Sequence, residues 1–229
     1  MQSIHSNNDW AMSTEEDSLK VSSANLAYEE ILRRLRRGEI GANDRLIDKT
    51  LAAELNMSRM PAREALMRLV NEGYLVGSTR GFRLPELSRS DILEIFEILM
   101  ALEPRAAAAA SQVLTPKYIE QLQQVISRSK QATLENELGE ISAANMEFRE
   151  IWLSVVPNGR LVSVISRYYD HANVVRLKTM HDFETRRIAL ILMEALVDGF
   201  SRRDSFYVFE QMERFIAAAR DRYVFLNPV

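Results

Sequence analysis

The stretch at residues 46–66, LIDKTLAAELNMSRMPAREAL, decides the fold of the N-terminal part of the chain. Its first half has the apolar spacing of a short helix, for which Asp48 is the expected N-cap. Asn56 breaks this helix. Ser58 then begins a second helix as its N-cap, with Pro61 in the first turn, where a missing N–H costs little. Two short helices joined by a tight break predict a helix-turn-helix.

The flanking sequence extends this prediction in both directions. Upstream, residues 24–37 have apolar side chains at helical spacing. Downstream, two short strands are predicted at residues 74–76 and 82–84, joined by a loop of Gly, Ser, Thr and Arg. Three helices followed by a β-hairpin predict a winged helix-turn-helix domain over residues 19–86.

The remainder of the chain, residues 87–229, reads as helix throughout and predicts an all-α bundle of six or seven helices. The fold class is therefore mainly α, with the hairpin wing as its small β part. Residues 1–18 carry acidic side chains and few apolar ones, which predicts a disordered acidic tail. The helices predicted for the bundle span residues 91–113, 116–134, 138–155, 158–178, 184–201 and 204–225.

Composition restricts the classes of function. The 229 residues include no cysteine and three histidines, which excludes a disulfide framework, a thiolate zinc site and a cysteine nucleophile. Neither a Gly-rich phosphate loop nor a nucleophile elbow is present, so we expect no enzyme activity. With no apolar run of about 18 residues and no visible signal peptide, we expect a cytoplasmic protein with no membrane partner.

Charge is distributed unevenly along the chain. Residues 31–83 contain 11 basic and 6 acidic side chains, whereas residues 89–229 contain 17 basic and 19 acidic ones. A basic module joined to a mildly acidic body indicates nucleic-acid binding by the module.

The order Ser-Arg-x-Pro-x-Arg-Glu-Ala-Leu at residues 58–66 resembles the DNA-binding signature of the GntR family of bacterial regulators, and the similarity continues to Leu84. The helical remainder, with Leu102-Glu103-Pro104 near its start, resembles the effector domain of the FadR subgroup. The resemblance implies a transcriptional regulator, a repressor in our interpretation. It implies a homodimer that binds palindromic double-stranded operator DNA and is released by a small organic acid or acyl-type effector.

The N-terminal residues of a recognition helix contact base edges. Arg59 and Arg63 lie four residues apart on one helix face, and either can donate two hydrogen bonds to guanine. Lys49 is placed to meet a phosphate, and the wing tip to approach the minor groove. The alternative, that these arginines only solvate the helix, remains open. The residues predicted to contact DNA are Lys49, Ser58, Arg59, Arg63, Thr79, Arg80 and Gly81. Phosphate contact is also open for Arg33, Arg34, Arg36 and Arg37.

The FadR-type domain often holds a metal ion through one acidic residue and three histidines. The matching positions in this chain fall at Asn145 and Arg149, near Ala189 and near Phe215. Because none is a histidine and arginine only donates hydrogen bonds, we expect the metal site to be lost and no cofactor to be needed.

Arg149 suggests two alternatives. It could provide a fixed charge for a ligand carboxylate or phosphate, or it could form a surface pair with Glu147 or Glu150. Leu99 replaces an arginine common in the family, which favours a more apolar ligand, either acyl or aromatic, or no ligand. The candidate effector-binding residues are Asn145, Arg149, His171 and Arg176, with His181 and Arg167 as further options. The aromatic residues Phe148, Trp152, Phe183, Phe206, Phe209 and Phe215 are predicted to be core.

A second class of function is a DNA-binding regulator with a degenerate sensor domain. Such a protein would bind no small molecule and would be controlled by a protein partner or by its abundance. A saturable effect of a small molecule on DNA affinity would distinguish the two classes.

Overall fold

The computed structural model describes residues 9–41, 43–172 and 179–228. The chain divides into two compact units, Met1–Glu86 and Leu87–Val229. Its elements are α1 (Asp9–Arg36), α2 (Asp48–Glu54), α3 (Arg59–Asn71), β1 (Val76–Ser78), β2 (Gly81–Arg83), α4 (Arg89–Ser111), α5 (Pro116–Glu135), α6 (Leu138–Ser154), α7 (Gly159–His171), α8 (Phe183–Arg202) and α9 (Ser205–Leu226).

The predicted helix-turn-helix is present in the first unit. Ile31 of α1 and Leu66 and Leu69 of α3 are fully buried in its core. Asn56 has a positive φ of 51°, a conformation that Asn tolerates better than most residues, so the break between α2 and α3 lies where it was predicted. The N-cap of α2 is Ile47 and not Asp48, because the extended backbone ends at Ile47 and Asp48 is already helical.

The hairpin of the wing is shifted from its predicted register. Strands β1 and β2 pair Val76 with Arg83, so the turn consists of two residues. Tyr74 and Leu75 are not in the strand because their N–H groups donate to the Leu69 carbonyl, at 2.9 and 3.3 Å, and so end α3. The shift therefore arises at the C-terminal end of α3. Tyr74 and Leu75 are residue types common in strands, but here their N–H groups bond to the last part of this helix.

The predicted tail and the structure differ. Helix α1 begins at Asp9, so residues 9–18 are helical, while residues 1–8 lie outside the described part of the chain. Ala, Met and Glu, which occur in this segment, are good helix formers.

The second unit contains six helices within its described residues, with bounds within about two residues of those predicted, except for the helix predicted at 158–178. That helix is described as far as His171 and ends there, with residues 173–178 outside the described ranges. The core includes the fully buried Trp152, Phe200 and Ile165. No helix in the described ranges is long and apolar enough to cross a membrane.

Two aromatic residues predicted to be core lie on the surface. Phe183 is 61% and Phe206 is 73% exposed, whereas Phe148 is buried. The two exposed rings belong to the first turns of α8 and α9, at the ends of helices, where a side chain can extend past the packed interior.

Candidate nucleic-acid interface and ligand cavity

Helix α3 has one buried and one exposed face. The buried face lies in the core of the first unit and includes Pro61, Ala62, Ala65 and Leu66. Arg59 and Arg63, four residues apart, lie on the opposite face and are exposed. Ser58 is the N-cap as predicted, but its side chain makes no capping hydrogen bond, and the residue is exposed. The N-terminal end of α3 therefore presents two guanidinium groups and a hydroxyl to the outside.

Asp48 holds both of these arginines in the free protein. Its two carboxylate oxygens each lie 3.1 Å from Nη2 of Arg59, and one lies 3.6 Å from Nη1 of Arg63. Burial raises the pKa of the Asp48 carboxyl, but the hydrogen bonds from Arg59 and the Lys49 N–H, with the charges of both arginines, hold it below its usual value. The start of α2 thus orients the two predicted base-reading side chains of α3.

The wing is attached to the segment that leads into α2. The N–H of Leu46 donates to the Phe82 carbonyl at 2.8 Å, and the N–H of Phe82 donates to the Leu46 carbonyl at 2.9 Å. Gly81 has a φ of 115°, and a Cβ there would lie 2.8 Å from the Leu46 carbonyl oxygen. Thr79 and Arg80 form the exposed tip. Gly81 is therefore required by the wing itself, whatever its role toward DNA.

Several of the arginines near the end of α1 are paired with acids of their own domain. Arg33 contacts Glu30 and Glu39, and Arg34 contacts Glu30 and Glu54. The hydrogen bonds from Arg33 and Arg34 lower the pKa of Glu30 to about 2. These two side chains therefore have intradomain partners in the free protein, whereas Lys49, the predicted phosphate contact, is exposed on α2.

A cavity of about 100 Å³ lies inside the helical bundle. Apolar side chains from α4, α6 and α9 make most of its wall, among them Phe96, Phe148 and Met212. Glu103 and Arg149 are its only charged lining residues in the described part of the chain. The remaining lining residues are Leu99, Asn145, Trp152, Tyr169, Ala172, Thr179, Met180, Thr185, Leu196, Phe215, Ile216 and Ala219.

The two charged residues form a buried, bidentate ion pair. Arg149 Nη1 donates to Glu103 Oε2 at 2.7 Å, and Nη2 donates to Oε1 at 2.5 Å. The Tyr169 ring lies over the guanidinium, with its centroid 3.6 Å from Cζ. The alternative of a surface pair with Glu147 or Glu150 is therefore wrong, because Arg149 points into the bundle, where a partner on α4 neutralises its charge.

The other candidate effector residues divide into three groups. Asn145 lines the cavity, and its amide nitrogen donates to the Ile141 carbonyl at 2.9 Å. His171 ends α7 beside Tyr168 and is not among the cavity-lining residues that the structure describes. Arg176 lies outside the described residues. The options Arg167 and His181 are likewise not among the described lining residues.

The side chains at the family's metal positions do not fit a divalent cation. Arg149 has only N–H donors and is already paired, while Ala189 and Phe215 have no donor atom. Among the described residues no group of three or more His, Asp or Glu is arranged to hold a metal ion. Phe215 lines the cavity, and Ala189 lines a smaller one of about 30 Å³ next to it.

Sequence reasoning missed the roles of two residues. Glu103 was named from the sequence only as part of a family signature. Its apolar neighbours Leu99, Ala106 and Ala107 are buried, and an acid on such a helix face indicates a partner of opposite charge in the interior. Met60 was not considered, yet its side chain is 63% exposed at the second position of α3. An exposed apolar side chain there is suited to contact a thymine methyl group.

Each of the two units matches a known protein family. Residues 94–218 match the FCD domain, and residues 24–81 match the bacterial regulatory proteins of the gntR family. The HTH-type transcriptional regulator McbR of Escherichia coli (strain K12) is 36% identical over 133 residues, 57% of this chain. The match spans 60% of McbR, which is less than two thirds of its length. The Nta operon transcriptional regulator of Aminobacter aminovorans is 29% identical over 152 residues, which cover 64% of this chain and 68% of that protein.

Solved structures extend the likeness to nearly the whole chain. The structure of E. coli McbR/YncC superposes with a TM-score of 0.75 at 25% identity and covers 88% of this chain and 98% of that one. A putative GntR regulator from Rhodococcus sp. RHA1 reaches a TM-score of 0.72 at 13% identity, covering 90% of this chain and all of that one, which supports the fold alone. The chain therefore belongs to the GntR family of bacterial regulatory proteins and carries an FCD domain.

Proposed function

We propose that this regulator is a repressor that binds a palindromic operator as a homodimer and is released by a small organic acid or acyl-type effector in the helical domain. The observation that carries the DNA-binding part is the pair of outward-facing arginines, Arg59 and Arg63, held together by Asp48 at the start of the recognition helix. One domain reads few base pairs, so a two-fold dimer on a palindrome supplies the missing specificity.

The effector part is supported by the cavity in the bundle. Its lining is concave and mostly apolar with a few convergent polar groups, which is the usual character of a small-molecule site. No metal ion enters this proposal, because three of the four side chains at the family's metal positions, Arg149, Ala189 and Phe215, provide no metal donor. An effector would act by a coupling free energy of about 1–3 kcal/mol between the cavity and the DNA-binding surface.

Selection of operator sequences from a random DNA library with the purified full-length protein tests the proposal. The expected result is enrichment of one inverted repeat that the protein binds as a dimer, as measured by fluorescence anisotropy and by the mass of the complex. Enrichment of a non-repeated sequence by a monomer would contradict the palindrome and the dimer. If no small molecule changes operator affinity while the palindrome is bound, the regulator with a degenerate sensor is favoured instead.

A further inference from the structure

The charge balance of the cavity restricts the ligand. The bidentate contact with Glu103 uses two of the five N–H groups of the Arg149 guanidinium, and both side chains are almost fully buried. A ligand carboxylate would have to compete with Glu103 for the guanidinium or add a second negative charge beside it. In an apolar interior an unpaired carboxylate is strongly disfavoured. Among the residues that the structure describes, the cavity therefore has no unpaired positive charge to offer an anion.

The same pair still offers hydrogen bonds to a neutral group. The other three N–H groups of Arg149 donate no hydrogen bond to a described residue, so they are available for a hydroxyl or carbonyl oxygen. Tyr169 covers one face of the guanidinium, which limits approach to its edge. The rest of the wall, including Leu99, Phe148 and Met212, is apolar.

The size of the cavity restricts the ligand further. An engineered cavity of about 150 Å³ binds benzene, whereas this one measures about 100 Å³. By the same proportion, a ligand of about four heavy atoms fits this space as it stands, and one of about six requires side chains of the wall to move. Met180 and Phe215 also line the neighbouring cavity of about 30 Å³, so movement of these side chains would extend the site for a longer chain.

We propose that the Glu103–Arg149 ion pair takes the place of a metal centre in this cavity and selects a small, uncharged acyl-type ligand, such as an amide, ester or alcohol, over the free acid. This inference rests on the proposed function, because it names the class of effector within it. The ion pair fixes the orientation of the ligand's neutral polar group, and the apolar wall packs against the ligand's hydrocarbon part.

Two isosteric probes test this selection. Isobutyramide and isobutyrate have the same shape and differ in charge. The fluorescence of Trp152, which lines the cavity, reports binding once Trp10→Phe has removed the other tryptophan. In the presence of EDTA, isobutyramide is expected to bind more tightly than isobutyrate by about tenfold or more, since the anion meets a neutralised guanidinium. Tighter binding of isobutyrate, a requirement for zinc, or no binding of either probe would overturn the proposal.

Removal of one charge should reverse the preference. In Glu103→Gln the guanidinium of Arg149 has no matching charge, so isobutyrate is expected to bind more tightly than isobutyramide. The double variant Glu103→Gln/Arg149→Gln stays neutral but removes the ion pair and the guanidinium donors. It should bind isobutyramide more weakly than the parent protein and lose most of the preference for it, and it provides the test should the single variant not fold. An unchanged ratio in folded Glu103→Gln would also count against the ion pair as the selecting element.

Operator binding by the parent protein, measured without ligand, separates this inference from the proposed function. If the parent protein does not bind a palindrome, the proposed function fails although the selectivity for the amide can still stand. If it binds the palindrome but prefers isobutyrate, only the inference on ligand class fails.

Discussion

Both carboxylate oxygens of Asp48 lie 3.1 Å from Nη2 of Arg59, so the first residue of α2 is bonded to the first residue of the recognition helix. This contact joins the two helices of the helix-turn-helix through the side chain that is expected to read a base. Arg63 lies within 3.6 Å of the same carboxylate. The arginines are thus oriented before DNA arrives, which reduces the conformational entropy lost on binding.

Replacement of Asp48 tests this orientation. We expect Asp48→Asn to lower the ratio of operator affinity to non-specific affinity several-fold, because Arg59 and Arg63 lose their common partner while the domain gains one positive charge. Anisotropy titrations with operator and scrambled duplexes measure the ratio. The matched control is Glu29→Gln, which makes the same change of charge at an exposed position of α1. Equal ratios in the two variants would show that Asp48 acts only through charge.

Substitution of Arg63 and substitution of Lys49 should weaken DNA binding in different ways. Arg63→Ala is expected to cost about 1–3 kcal/mol of operator affinity and to relax specificity at one base pair of each half-site. Lys49→Ala should instead weaken binding to all sequences alike and reduce the dependence of affinity on salt concentration. Titrations of single-base operator variants at several salt concentrations distinguish the two. If Lys49→Ala altered the base preference, Lys49 would contact a base and not only a phosphate. If Arg63→Ala left the base preference intact, Arg63 would not read a base.

The wing depends on the backbone of Gly81. In Gly81→Ala the new Cβ would lie 2.8 Å from the Leu46 carbonyl oxygen at a φ of 115°, a strain of about 1–3 kcal/mol. We expect a lower thermal midpoint and loss of operator affinity. Gly77→Ala is the control, since its Cβ would meet the Phe82 ring at an ordinary 3.8 Å. A Gly81→Ala protein as stable as Gly77→Ala but deficient in DNA binding would instead indicate direct contact with the minor groove.

The sequence predicted elements well where local chemistry determines them. The break at Asn56 and the starts of the bundle helices follow from residue types within a few positions, and in the structure Asn158 and Asp182 cap their helices through their side chains. The hairpin register and the Glu103–Arg149 pair were not predicted. Their partners lie on other elements, 46 residues apart in the case of the ion pair, and no spacing rule within one helix reveals such a contact.

Asp182 joins α8 to α9 and makes the stability of the bundle dependent on acid. Its Oδ2 accepts hydrogen bonds from the N–H and hydroxyl of Thr185, at 2.7 and 2.8 Å, and from Arg222 at 2.5 Å. Burial raises the pKa of this carboxyl, but the hydrogen bonds from Thr185 and Arg222 outweigh burial and lower it. A lowered pKa means that the ionised form stabilises the fold above the unfolded pKa of about 4, and that this stability is lost as pH falls through the folded pKa.

Asp182→Asn should therefore lower the free energy of unfolding by about 1 kcal/mol at pH 7, because the amide can still cap α8 but cannot form the ion pair with Arg222. The difference from the parent protein should begin to shrink below about pH 4, where the unfolded carboxyl takes up a proton, and should vanish once the pH has fallen through the lowered pKa of the folded carboxyl. Urea titrations at pH 7 and at pH 3 measure both values. Asp204→Asn is the control, since Asp204 caps α9 through the N–H of Tyr207. A penalty for Asp182→Asn that equals that of Asp204→Asn, or that does not decrease between pH 7 and pH 3, would mean that the pairing with Arg222 adds no stability.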